Sequence, residues 1–317
     1  MSKAENGQGA GPKEVYYEEY ARLLFPYLGW PNWPPKETPG NKEWWKAGTI
    51  VLPSSSRASY SLPYTPLIEI DGLPKSGKSR IRDELSSSLT NSLDKGKWSI
   101  VAFDETPLLI TKDAVFADLT LIYPPDILPD DDPVPVVFEK DDWVTTLYYQ
   151  HLKSEWWGQQ IQHLAKPILQ PKKHKLVLGY RGPTDGTIFS WAFASHRQDS
   201  TFAIPDDLSR ASELLLKSAV NLELVSHYVD AVILVGISQQ EAQKRRAAEK
   251  KDYPGWITDS PFYQDLSSWY GYWIENVWPK MHKRYGTGLL VVDGRKPLEH
   301  NVPLIAEYVT NITKSWV

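Results

Sequence analysis

Residues 67–79 read Leu67-Ile68-Glu69-Ile70-Asp71-Gly72-Leu73-Pro74-Lys75-Ser76-Gly77-Lys78-Ser79, and this stretch decides the fold. The first five residues have the composition of a short buried strand. The last eight, Gly72, Leu73, Pro74, Lys75, Ser76, Gly77, Lys78 and Ser79, fit the phosphate-binding pattern G-x-x-x-x-G-K-[ST] in full. Each part has a physical role. The glycines let backbone amides turn inward and approach phosphate oxygens. The helix that follows aims its N-terminal dipole and free N–H groups at the same anion. Lys78 reaches the β- and γ-phosphates of ATP, and the Ser79 hydroxyl ligates Mg²⁺. With average residue usage, a chain of this length meets the pattern by chance on the order of one time in a hundred. The competing reading is an ordinary Gly/Ser turn with a solvated lysine. An apolar strand before the match and a helical segment over 78–93 after it favour the phosphate loop.

Outward from the loop, short apolar runs recur: 98–103, 176–178, 231–235 and 289–292. Such runs, bounded by turns and separated by helical segments, predict a three-layer α/β/α domain. The expectation is a parallel five-stranded sheet, with a helical lid near 240–275, over a domain spanning 61–317. Residues 1–60 are read as an N-terminal extension: a polar, Gly-rich start, a helical pattern over 13–28, and then a Pro- and Trp-rich segment that suggests packing onto something. The acidic, Pro-rich run 124–135 reads as a solvated loop, and Asp141 or Asp142 as the cap of a helix reaching 166.

Composition narrows the function classes. The chain of 317 residues has a formal net charge of −4, which favours a small-molecule partner over a nucleic acid. The absence of cysteine excludes disulfides, thiolate metal ligands and a cysteine nucleophile. The seven histidines show no ligand spacing that would make a zinc site. No apolar run is long enough for a membrane span, and the polar start lacks the apolar core of a signal peptide, so a cytoplasmic location is the expectation. The 14 Trp and 17 Tyr are read mainly as core and packing residues, with stacking on a flat ligand as the alternative.

Further candidates follow from position. Asp104 and Glu105 end the second strand of the parallel set, where open α/β sheets bind ligands. A carboxylate there can accept a hydroxyl proton or hold Mg²⁺ through water, and only one of two adjacent residues faces the site. Arg181 follows a buried strand and suits a two-point grip on phosphate. Asp185 is a weaker candidate in the same Gly/Pro turn. Arg245, Arg246, Lys250 and Lys251 form a basic run on a helix. It is either a solvated face or a source of charge over a transferring phosphoryl.

From Pro66 onward these motifs, in order, resemble the thymidylate kinase and deoxynucleoside kinase group of P-loop kinases. They are the phosphate loop; Phe103-Asp104-Glu105-Thr106-Pro107; the helix 143–166 with Pro167-Ile168-Leu169 and the strand after it; Tyr180-Arg181-Gly182-Pro183-Thr184-Asp185; the strand from Asp230 into Arg245-Arg246; and Leu289-Leu290-Val291-Val292-Asp293-Gly294-Arg295. The resemblance implies a general base at Asp104 or Glu105 and an arginine-bearing lid at 245–246. It also places Arg295 near the adenine, and beside Ser79 the metal shell draws on Asp104, with Glu105 or Asp185 as alternatives.

Three departures stand out. Tyr180 occupies the family's acidic position before the arginine. Lys75 stands where thymidylate kinases carry glycine. In an ungapped alignment Trp157 falls near the arginine that grips the acceptor's phosphate. The resulting expectation is an ATP- and Mg²⁺-dependent kinase for a hydroxyl of a nucleoside or nucleoside-like molecule, with Trp157, Arg181 and Asp185 at the acceptor. A nucleoside monophosphate acceptor, a nucleotide-binding switch and a polynucleotide kinase are the alternatives. The sequence is compatible with a homodimer and does not decide the oligomeric state.

Overall fold

The computed structural model describes residues 19, 22–23, 25–33, 35, 38–40, 43–63, 65–103, 143–165, 173–195, 209–248 and 261–316. Asp104, Glu105, the acidic run 124–135, the cap at Asp141 or Asp142, Pro167-Ile168-Leu169, Lys250 and Lys251 lie outside the described residues.

The strands are β1 (Ile50–Val51), β2 (Leu67–Gly72), β3 (Trp98–Phe103), β4 (His174–Tyr180), β5 (Ala231–Gly236) and β6 (Gly288–Asp293). They form one sheet in the order β1-β6-β5-β2-β4-β3. The five long strands are parallel, with registers such as Ile70 to Tyr180 and Ile70 to Ile233. Among the described residues the sheet therefore has six strands, not the expected five. The sixth is β1, whose two residues come from the N-terminal extension and pair antiparallel with the edge strand β6. A two-residue strand has no periodicity to read, yet it covers backbone groups that β6 would otherwise leave open.

The helices are α1 (Lys78–Ser92), α2 (Trp143–Ala165), α3 (Pro183–Ser195), α4 (Ser209–Ser226), α5 (Gln239–Ala248), α6 (Phe262–Tyr272), α7 (Trp278–Tyr285) and α8 (Leu298–Lys314). A π-helical turn, Trp273–Val277, joins α6 to α7. Helix α1 buries Ile81, Leu85 and Leu89, spaced four apart, so one stripe faces the sheet. Of the span 240–275, α5 is largely exposed, whereas α6 is core: Phe262, Leu266 and Tyr270 are all buried. No helix among the described residues is long and apolar enough to cross a membrane.

Strand β2 separates two cores. Ile68 and Ile70 join an aliphatic cluster with Ile81, Leu85, Leu89, Ile305 and Val309 of α1 and α8. Leu67 joins a larger aromatic cluster with Trp157, Trp191, Trp269 and Trp273. Glu69 and Asp71 alternate with the two isoleucines and are wholly buried. The N-terminal segment completes the aromatic core. Trp30, Trp44 and Trp45 are buried in it, and Trp44 Nε1 donates to Ser267 O at 2.9 Å. The Arg57 guanidinium pairs with the buried Asp230 at 2.8 Å, and Asp230 also accepts the Leu67 N–H at 2.8 Å.

Candidate active site

The phosphate loop runs from the end of β2 into α1 as the motif requires. Gly72 has φ +132°, and a Cβ there would stand 2.0 Å from Val235 O, so this position admits only glycine. The Leu73 N–H donates to the same carbonyl at 3.1 Å, which ties the loop to β5. Gly77 (φ +97°) turns the chain into α1, and Lys75 takes φ +62°, a left-handed conformation at the position where the resembled family carries glycine. Lys78 folds over its own loop. Its Nζ donates to Gly72 O and Leu73 O, each at 2.7 Å, and its side chain is buried. The Ser79 hydroxyl is hydrogen-bonded to Tyr180 OH at 2.7 Å. The Arg82 guanidinium lies over the Tyr180 ring, 5.2 Å from its centre.

Beside the loop is a buried polar cluster. The start of α3 presents free N–H groups, and two carboxyls of β2 take them. Asp71 Oδ1 accepts from Gly182 N at 2.8 Å, and Glu69 Oε1 from Thr184 N at 3.2 Å. Asp185, in the first turn of α3, accepts from Lys153 Nζ of α2 at 2.7 Å and from Tyr270 OH of α6. Burial, reinforced by Asp71, raises Glu69 well above the usual carboxylate range. Burial and then Asp185 push Asp71 up to about 7, although Lys153 and the Gly182 N–H oppose this. Burial would raise Asp185 too, but Lys153, Arg181 and Lys78 together outweigh it and hold Asp185 below the usual range. The cluster therefore favours charge on Asp185, which three cations support, and disfavours it on Glu69 and Asp71, which burial raises.

The candidates read from the sequence divide clearly. Gly72 to Ser79 form the loop. Arg181 sits just past β4 with φ +55° and half-buried, its guanidinium 5.9 Å from the Phe189 ring centre. Arg246 is half-buried on α5. Arg295 is exposed and forked onto Asp293, with Nη2 to Oδ2 at 2.6 Å. One expectation is corrected. Trp157 offers no face to an acceptor: it is 0% exposed, packed on Gly179 of β4 and edge-on to Phe103 and Trp156. Arg245, expected over the transferring phosphoryl, donates to the Lys75 and Ser76 carbonyls of the loop.

Glu69, Asp71, Lys153 and Tyr270 were not singled out from the sequence. The two acids at alternate positions of an otherwise apolar strand were the available signal. The partners that explain them come from α2, α3 and α6, and no local pattern marks them.

No family model and no curated protein matches the sequence. Similar solved structures include the thymidylate kinase of Candida albicans, with 15% identity and TM-score 0.46, covering 80% of this chain and 94% of that one. They also include the deoxyadenosine kinase of M. mycoides with bound dATP, with 18% identity and TM-score 0.45, covering 77% and 98%.

Proposed function

We propose that the chain is an ATP-dependent phosphotransferase acting on a hydroxyl of a nucleoside or nucleoside-like small molecule. The observation that carries this reading is the phosphate loop itself. It is seated on β5 through Gly72, opens α1, and holds Lys78 folded over its carbonyls. Two backbone carbonyls are modest partners for an ammonium, so Lys78 can exchange them for β- and γ-phosphate oxygens. There it stabilises charge on the transferring group. Asp104 or Glu105, directly after β3, is the candidate base for the acceptor hydroxyl. Arg181, past the neighbouring strand β4, is the candidate grip for an acceptor oxygen.

The donor set fits Mg²⁺ held in the manner usual for nucleotide kinases, by one or two protein ligands plus phosphate oxygens and water. The Ser79 hydroxyl is exposed at the head of α1 and is engaged only by a neutral phenol. Among the described residues no group of three acidic or histidine ligands forms a separate metal cage. When bound, the ion neutralises charge on the β- and γ-phosphates.

The cluster around α3 supports an uncharged acceptor over its monophosphate. A helix N-terminus attracts anions, but here Glu69 and Asp71 already take its N–H groups and Asp185 lies in its first turn. An incoming phosphate dianion would meet carboxyls where it needs donors. A cytoplasmic protein, acting as a monomer or homodimer, completes the proposal.

The test is ATP consumption against a panel of nucleosides, their monophosphates and sugars. A nucleoside-dependent rate should fall about 100- to 1,000-fold in Lys78→Ala, with the melting temperature unchanged. ATP turnover that ignores every acceptor would reject the reading.

A further inference from the structure

Arg245 is heavily engaged next to the phosphate loop, by three backbone carbonyls and a carboxylate. Nη1 donates to Lys75 O at 3.2 Å and to Ser76 O at 3.1 Å. Nη2 donates to Gly294 O at 2.7 Å, in the turn between β6 and α8. Nε donates to Glu241 Oε1 at 2.9 Å, one turn back on α5. Each face of the fork is thus committed to a fixed acceptor. Helix α5 is itself anchored by the wholly buried Ala242.

The geometry gives these contacts a consequence. In a peptide unit the N–H and C=O point in opposite directions. The Ser76 C=O shares its peptide unit with the Gly77 N–H, and the Lys75 C=O with the Ser76 N–H, which donates to Leu73 O at 3.2 Å; by holding both carbonyls Arg245 fixes the orientation of these two peptide units. The loop needs holding, because Lys75 sits at φ +62° without being glycine, a conformation that persists only where the surroundings enforce it. The turn at Gly294 is also in contact with the loop: a Cβ there would stand 2.7 Å from Ser76 O. A single guanidinium therefore locks the loop to the β6–α8 turn and to α5.

We infer that Arg245 is a positioning residue for the phosphate site: it touches no phosphate, and it fixes the loop's amides by gripping the carbonyls of Lys75 and Ser76, oriented by Glu241. This rests on the loop being a nucleotide site, as proposed above.

The full-length chain is titrated calorimetrically with ADP and, separately, with a non-hydrolysable ATP analogue, as wild type, Arg245→Met, Arg245→Lys and Glu241→Gln. The expected result is a loss of ADP affinity of about tenfold or more in Arg245→Met, the scale of losing charged hydrogen bonds. The analogue should lose the same factor, so that their affinity ratio stays constant. Arg245→Lys should recover part of the loss, since an ammonium can reach some of the carbonyls. Glu241→Gln should weaken both ligands by a smaller, equal factor. An Arg245→Met loss confined to the analogue would place the guanidinium on the γ-phosphate and overturn the inference. ADP affinity unchanged in Arg245→Met would also overturn it. Should Arg245→Met not fold, Glu241→Gln and Arg245→Lys decide: wild-type affinity in both rejects the brace. A wild-type chain that binds neither ligand would instead reject the kinase reading on which the inference stands.

Discussion

The two faces of the sheet are built by different rules, although β2 contributes to both. On one face Ile68 and Ile70 meet α1 and α8 in a core that is almost entirely aliphatic. On the other, Leu67, Glu69 and Asp71 meet α2, α3 and α6 in a core of aromatic rings and buried charge. Aliphatic packing is tolerant and needs no partner at a defined atom. Buried charge is stable only while every partner is in place. The contrast implies that both faces supply folding free energy and that the second also holds the geometry of the site. The difference lies in two residues, Glu69 and Asp71, at the positions where a buried parallel strand would ordinarily carry valine or isoleucine.

The largest effect expected from this contrast concerns Lys153 and Asp185, a pair with both side chains essentially unexposed. Lys153→Met leaves Asp185 ionised without its main cation and should cost about 3–5 kcal/mol of unfolding free energy. Lys153→Met combined with Asp185→Leu should regain much of that loss, because removing both charges removes the desolvation penalty as well. On the aliphatic face, Leu85→Ala should cost about 2–5 kcal/mol through its cavity, and no polar change elsewhere should rescue it. Denaturant unfolding of the wild type and the three variants measures both. If the double variant is no more stable than Lys153→Met, the Lys153–Asp185 pair is not energetically separate from Arg181, Lys78 and Tyr270.

How much of this could be read beforehand depends on how local each feature is. The phosphate loop was legible because all its parts lie within eight consecutive residues and each is constrained by backbone geometry; the φ values of Gly72, Lys75 and Gly77 show the constraint directly. The five parallel strands were legible as short apolar runs. Strand β1 was not, since two residues carry no period. The polar cluster was not legible either, because Lys153 and Asp185 lie on different helices and each alone reads as a surface charge. Trp157 failed for the complementary reason: the ungapped alignment placed it in sequence, but its orientation is set by Gly179 across the interface, which leaves room for the ring. The basic run at 245–246 was visible, but the side of the loop it faces depends on how α5 packs.

The second prediction sharpens the contrast through pH. Glu223 of α4 also lies on the aromatic side, wholly buried, with Trp30 Nε1 donating to its Oε2 at 3.2 Å. Burial pushes its carboxyl up to about 7, against hydrogen bonds from Trp30 and Ser226. A carboxyl raised in the folded state binds its proton more tightly there than in the unfolded chain. Its contribution is therefore complete below pH 4.5 and declines as pH rises to about 7. Glu223→Gln removes that decline. The stability of Glu223→Gln relative to wild type should grow between pH 4.5 and 7 and level off above, by on the order of 1–3 kcal/mol. His227, four residues on, works in the opposite sense: burial, then Arg284 and Arg57, hold its ring down to about 4, so it favours the fold above pH 6.5 and loses that contribution on acidification. The difference curve between variant and wild type cancels Asp71, but His227 Nε2 lies 3.9 Å from Glu223 Oε1, so its contribution is removed by making the same comparison in a His227→Gln background. A difference independent of pH would show that Glu223 is ionised in the fold.

The smallest effect lies where the two faces meet, at the head of α1. Tyr180 OH is hydrogen-bonded to the Ser79 hydroxyl, and its ring is held under Arg82. If Ser79 is a ligand for Mg²⁺, one of its lone pairs must be turned toward the ion, and the contact to Tyr180 competes with or redirects it. Tyr180→Phe keeps the ring and its cation contact but removes the hydroxyl. A neutral hydrogen bond contributes a net ~0.5–1.5 kcal/mol, so ADP should bind about 2- to 10-fold more tightly to Tyr180→Phe in the presence of Mg²⁺. In EDTA, where Ser79 has no metal to meet, the two proteins should bind ADP alike. Isothermal titration under both conditions gives the ratio. Weaker binding in Mg²⁺ alone would reverse the sign of the argument: the phenol would then orient the serine for the metal, and the tyrosine would serve the acidic position it occupies by holding a ligand instead of being one.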